Sequence, residues 1–179
     1  MKYFEAIDIS SPGISWRRVC ADAERLARDA ARAALAEGVA AMGLASPARL
    51  ELGIMLTDDA HQRQLNRTYR GHDIPTNVLA FPAWTPGTPP VVGAPMLLGD
   101  VVLAFETVAR EAGEQGKPFA DHFRHLIVHG VLHLLGCDHR TETEAAAMER
   151  LEITILAKLG ISDPYHGNIW SIEPGSACL

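Results

Sequence analysis

HFRHLIVHGVLHLLGCDH, residues 122–139, holds five of the chain's eight histidines and its most apolar run. Leu126, Ile127, Val128, Val131, Leu132, Leu134 and Leu135 surround His129 and His133, and the pattern predicts a helix over about 118–135. His129 and His133 stand four apart. On a helix both imidazoles then project from one face, with Cβ atoms about 6 Å apart. Gly136 follows, and glycine readily takes the left-handed conformation that ends a helix. The turn it allows can swing His139 back toward the same point. Zinc–nitrogen bonds of ~2.0–2.1 Å need ligand nitrogens a few ångströms apart, which this set can supply. Two ligands from a helix and one from the turn beyond leave a fourth position for water, the pattern of a catalytic rather than a structural site.

His125 lies eight residues before His133, ~12 Å along a helix axis, so the two cannot share one ion. It is either an alternative ligand paired with His129, or a residue on the surface or behind the ligands. The turn at Gly136 favours His129, His133 and His139. Three competing readings attach to the same residues. Both helical histidines can be core residues, although burying two imidazoles without partners costs about a few kcal/mol. A structural zinc would need a fourth protein ligand, for which Asp138 or Cys137 is available. The H-x3-H-x5-H spacing is also similar to that of metzincin peptidases, which carry a glutamate general base directly after the first histidine. Here that position is Gly130, which has no side chain to move a proton.

Outward from this segment, residues 2–9 read as a strand and 17–37 as an Ala-, Arg- and Glu-rich helix, with Gly38 as its stop. In RLELGIMLT, residues 49–57, Leu50, Leu52, Ile54 and Leu56 fall on one side, which is strand period. Thr57-Asp58-Asp59 offers an N-cap for a helix over roughly 59–69. Strands over 76–81 and 97–105 flank a Pro/Gly-rich loop at 84–96, and Gly99 marks a bulge. Helical patterns over about 105–114 and 141–159 complete the chain, the last ending at Gly160. Strands come early and helices late, so the expectation is an α+β single domain over 1–164, with one small sheet and about five helices, and a loose tail at 165–179.

The 179 residues are 47% hydrophobic and 21% charged, which excludes wholesale disorder. A net charge of −6 excludes a general basic coat for nucleic acid and leaves room only for a local patch. Cys20, Cys137 and Cys178 are far apart and odd in number, which points to a reducing compartment and against a disulfide framework. MKYFEAIDIS lacks the apolar stretch of a signal peptide, and nowhere do 18 apolar residues run together. A cytoplasmic protein without membrane contact is expected.

HGVLHLLGCDH closely resembles the H-G-x-L-H-L-x-G-x-D-H motif of the YbeY endoribonucleases, also called rRNA maturation factors. LNRTYRGHDIPTNVLAFP (65–82) is similar to the family's upstream block, including Asn66, Tyr69, Arg70, Thr76, Asn77, Val78, Leu79 and Phe81. LLGDVVLA (97–104), GKP (116–118) and LGISDPY (159–165) resemble further blocks in the same order, so the likeness spans roughly residues 49–165. Ala80 stands where many members have Ser. The resemblance implies a zinc-dependent, single-strand-specific endoribonuclease acting in 16S rRNA 3′-end maturation and late ribosome quality control. It implies one zinc per chain on His129, His133 and His139, and a catalytic role for Arg70. Its implied partners are single-stranded rRNA and the small ribosomal subunit, with a basic ribosomal protein a further partner suited to the acidic chain. The implied fold is a small mixed four-stranded sheet beside helices, with the metal helix at the centre.

Phosphodiester cleavage develops negative charge at phosphorus, which a guanidinium can stabilise through two parallel hydrogen bonds. Zinc polarises a phosphoryl oxygen and lowers the pKa of its water to about 7. Arg63, Arg67 and Arg70 recur at helix-like spacing and are candidates for contact with RNA, although a solvated helix face is the plainer reading for Arg63 and Arg67. Tyr69, Phe81 and Trp84 can each stack on a base, although core packing is the plainer role for Tyr69 and Phe81. Asp138 either accepts a hydrogen bond from a ligand imidazole or ties down the turn and caps the next helix. Two other functions fit the same residues: a zinc-stabilised ribosome-assembly binding factor with little catalysis, and a metallohydrolase of another substrate such as a peptide or ester.

Overall fold

Leu50, Leu52, Ile54 and Leu56 alternate along β2 (Arg49–Thr57) and are all buried, as a strand with one face on a core requires. A computed structural model of the chain describes residues 4–11, 14–44, 49–89, 91 and 94–166. The start of the expected first strand, parts of the Pro/Gly-rich loop, Cys178 and the tail from 167 onward lie outside these residues. β2 is flanked by β1 (Phe4–Ser10) and β4 (Met96–Ala104), both parallel to it, and β3 (Val78–Pro82) runs antiparallel to β4. The sheet is therefore mixed and four-stranded, in the order β1-β2-β4-β3.

The bulge expected at Gly99 is present. Register slips between Glu51 and Leu52 opposite it, and Gly99 takes φ 125°, with Phe81 O only 2.0 Å from where a Cβ would stand. One sheet face, carrying Ile7, Leu52, Ile54, Val78, Ala80, Val101 and Leu103, meets a helical layer. This layer is built from α2 (Ala23–Ala41), α5 (Phe119–Leu134) and α6 (Glu142–Lys158). α3 (Asp59–Arg70) lies on the opposite face at the β3–β4 end, where Gln62 Nε2 donates to Val102 O at 3.1 Å and Tyr69 meets Phe81 edge-on. α3 starts as the sequence predicts: the Asp58 carboxylate accepts the His61 N–H at 2.8 Å.

The single helix expected over 17–37 is two helices, α1 (Ile14–Val19) and α2, and with α4 (Phe105–Glu114) the described residues form six helices rather than the expected five. The break lets Trp16 turn inward. Its ring packs among Phe105, Phe119 and Phe123, and its indole N–H donates to Thr57 O at 2.8 Å. Gly38 does not stop α2, which continues to Ala41. Its missing side chain lets α2 approach α5's end, since a Cβ would stand 2.4 Å from Leu135 Cδ1. Tyr165, at the start of the expected tail, is bonded to His125 and Glu152. Among the described residues no helix is long and apolar enough to cross a membrane.

Candidate metal centre

α5 is buried along most of its length, at the middle of the helical layer. His129 and His133 lie one turn apart on it, with their Nε2 atoms 3.1 Å from each other. The helix ends as the glycine predicts. Gly136 has φ 92°, its N–H donates to His133 O at 2.9 Å, and the Cys137 N–H reaches back to Leu132 O at 3.0 Å. Pro86 of the β3–β4 loop packs on this turn, where a Cβ on Gly136 would meet it at 2.5 Å. The chain then doubles back, and Asp138 Oδ1 accepts the N–H of His139 at 2.8 Å. Thr141 opens α6 with a capping box closed by Glu144. The turn thus has both ends anchored, and it places the His139 ring 5.0 Å from that of His133.

One nitrogen from each of His129, His133 and His139 falls within 4.8 Å of the others. Two nitrogens on a tetrahedral zinc sit roughly 3.3 Å apart, from bonds of ~2.0–2.1 Å, so the 3.1 Å pair already has the spacing of ligands. His139 Nε2 is buried with no hydrogen-bond partner. Burial, with His129 and His139 beside it, pushes the His133 imidazole from 6.5 down to about 2, so it stays neutral and keeps a lone pair to offer. These residues fit a divalent ion that prefers nitrogen ligands.

Two groups, Glu152 and Tyr165, escaped the sequence reading. Glu152 of α6 is 0% exposed. Its Oε1 accepts from His129 Nδ1 at 2.7 Å, and its Oε2 accepts from His125 Nε2 at 3.0 Å and from the Tyr165 hydroxyl. Burial pushes its carboxyl up, but the adjacent His129 and the hydrogen bonds from both imidazoles outweigh that and hold it well below the usual range. His125 is therefore neither a surface residue nor a member of the three-imidazole cluster, but a buried donor behind it. A signal for Glu152 existed: a carboxylate between Met148 and Ile155 falls on the apolar stripe of α6. Tyr165 had only its place in the DPY block.

Of the two roles open to Asp138, the turn-tying one is seen, and its other oxygen pairs with Arg140 at 2.5 Å. The carboxylate that faces a clustered imidazole is Glu152. Arg63 is held by Asp73 through two parallel hydrogen bonds of 2.8 and 2.7 Å, and that guanidinium keeps the Asp73 carboxyl below its ordinary range. Of the other two arginines of the expected strip, Arg67 is exposed and Arg70 is half-buried at the end of α3 before Gly71. Tyr69 is not a core residue but 57% exposed, while Phe81 and Trp84 are half-buried. Gly130, the position of the metzincin glutamate, faces the sheet, where a Cβ would lie 2.6 Å from Val101 Cγ1. A side chain there would press on Val101 rather than reach the histidines.

A family model described as endoribonuclease YbeY matches residues 17–160. An endoribonuclease YbeY of Paramagnetospirillum magneticum is 55% identical over 161 residues, which cover 89% of this chain and 94% of that one. One of Methylocella silvestris is 46% identical over 147 residues, covering 82% and 81%. The solution structure of TM1509 from Thermotoga maritima superposes with a TM-score of 0.52 over 89% of this chain and 99% of the other, at 20% identity, a likeness of fold alone.

Proposed function

The chain belongs to the endoribonuclease YbeY family, and from that premise we propose that it is a zinc-dependent endoribonuclease that cuts single-stranded RNA in the cytoplasm. We assign its substrate to ribosomal RNA, with 16S 3′-end maturation and late ribosome quality control as its setting and the small subunit as its partner. The observation that carries the reading is the convergence of His129, His133 and His139 within 4.8 Å, with one of them backed by a buried carboxylate.

His129, His133 and His139 would hold the ion. When bound, zinc supplies Lewis acidity toward a phosphoryl oxygen and lowers the pKa of water. The rest of the chemistry falls to the chain. Arg70 is the residue assigned to the developing charge at phosphorus, where a guanidinium donates two parallel N–H bonds. Its place at the end of α3, next to exposed Arg67 and Tyr69, suits a backbone passing along that helix terminus. With Arg63 neutralised by Asp73, Arg67 is the remaining α3 cation for a neighbouring phosphate. Among the described residues the cluster holds three imidazoles and no fourth ligand, which favours a catalytic centre over a purely structural zinc, and so an enzyme over a binding factor.

The test is cleavage of a labelled single-stranded oligoribonucleotide and of its duplex by the purified chain. Activity on the single strand should vanish with a chelator and return with zinc. Cleavage that persists undiminished through chelation, or a substrate screen in which only a peptide or ester is turned over, would overturn the assignment.

A further inference from the structure

A carboxylate with no solvent contact must have its lone pairs met from within the protein, and those of Glu152 are met by two imidazoles of α5 and by a phenol from the turn after α6. We propose that Glu152 is the positioning residue of the metal centre: it fixes His129 as the Nδ1–H tautomer, so that Nε2 is the nitrogen delivered to the ion. Tyr165 and His125 hold the carboxylate in the one orientation that does so. The proposal rests on the three-histidine reading above and adds a role that none of the ligands supplies for itself.

An ionised carboxylate only accepts hydrogen bonds, so the 2.7 Å contact places the imidazole hydrogen on His129 Nδ1. A neutral imidazole carries one such hydrogen, which leaves Nε2 as a bare lone pair. His133 Nε2 stands 3.1 Å from that lone pair, so in the metal-free protein the hydrogen between the two rings belongs to His133. The pairing also makes His129 a stronger donor, because a carboxylate behind a ligand imidazole raises its basicity.

The carboxylate cannot turn away. Oε1 is taken by His129, and Oε2 by His125 and by the hydroxyl of Tyr165. His125 is held on α5 one turn before His129, and its ring meets that of Tyr165 edge-on. Tyr165 is delivered by the turn after α6. There Lys117 Nζ donates to Pro164 O at 2.9 Å, and the Tyr165 N–H bonds to Asp163 Oδ1 at 2.9 Å. The GKP and DPY segments thus share a purpose: Lys117 of the first holds the second, which places a phenol on the carboxylate behind a metal ligand.

The experiment has two readouts on the full-length chain. Nitrogen-15 NMR of the imidazoles in metal-free wild-type protein at neutral pH should show His129 protonated on Nδ1 and bare on Nε2. Protonation of its Nε2 instead would overturn the proposal without any variant having to fold. Competition against a chelator should show zinc binding weakened by ten- to a hundredfold in Glu152→Gln. Tyr165→Phe keeps the ring and loses only the donor, so it should show a smaller weakening in the same direction. His129→Ala separates the two claims. If it abolishes zinc binding while Glu152→Gln and Tyr165→Phe stay within twofold of wild type, the positioning role is wrong and the three-histidine reading stands. If His129→Ala leaves zinc binding intact, that reading falls instead.

Discussion

α5 pairs three buried histidines with two carboxylates, and the pairs at His122 and His129 do different things. His122 Nε2 meets Glu111 Oε2 at 2.9 Å, and the same oxygen accepts the Asn77 side-chain amide at 3.0 Å. Two turns further along, His129 Nδ1 meets Glu152 Oε1 at 2.7 Å. Both imidazoles are buried, both partners are carboxylates, and both links join α5 to a neighbouring helix. The difference lies at the second nitrogen. That of His122 is buried with no partner, whereas that of His129 looks onto His133, with His139 brought around by the Gly136 turn. A histidine–carboxylate pair is thus a fastening that any buried histidine can use. It becomes half of a metal site only where the opposite nitrogen converges with others.

The sharpest way to break that comparison is to exchange the outcomes of the two pairs. His129→Ala should lose bound zinc by elemental analysis and drop RNA cleavage to the assay background. His122→Gln should keep both and lose about 1–3 kcal/mol in a urea titration, the cost of an impaired buried hydrogen bond. Equal loss of metal in the two variants would show that the distinction drawn here is wrong. Next in size, Arg70→Glu should retain its zinc yet slow cleavage of single-stranded RNA by roughly 10²–10³-fold, the usual effect of removing one group that stabilises transition-state charge.

Acid should also distinguish the cluster. The folded state holds His133 far below its ordinary pKa of 6.5, so the unfolded chain binds a proton there first. The stability of metal-free protein from this group is therefore complete above 6.5 and declines as pH falls below it, by up to about 1.4 kcal/mol per pH unit. Urea midpoints measured from pH 7.5 to about 5 should show the slope, and His133→Leu should lessen it, buried His125 supplying a slope of the same sign.

Two smaller effects test the frame around the cluster. Gly130→Ala would press a methyl against Val101 and should cost ~1–3 kcal/mol, with some loss of metal affinity if α5 must lift from the sheet. Thr141→Ala removes the α6 cap and should cost ~1 kcal/mol in thermal or chemical denaturation, leaving zinc binding close to wild type.

The parts legible in the sequence were those set by short-range geometry. Helix pitch alone puts His129 and His133 on one face, left-handed Gly136 alone ends the helix, and period-2 spacing alone picks out the buried side of β2. The cap at Asp58 and the bulge at Gly99 follow from local chemistry in the same way. Tertiary structure decided whatever depends on how one element lies against another. Gly38 reads locally as a stop, yet it serves as a contact point because α2 crosses close to the end of α5. Tyr69 reads as core, yet its side chain lies over half exposed on the far face of the sheet. Glu152 meets His129 across 23 residues, a meeting that only the packing of α6 on α5 brings about. Local spacing names the ligands because a helix repeats every 3.6 residues wherever it sits. What stands behind each ligand depends on which surfaces the whole chain buries together, and no window of sequence contains that.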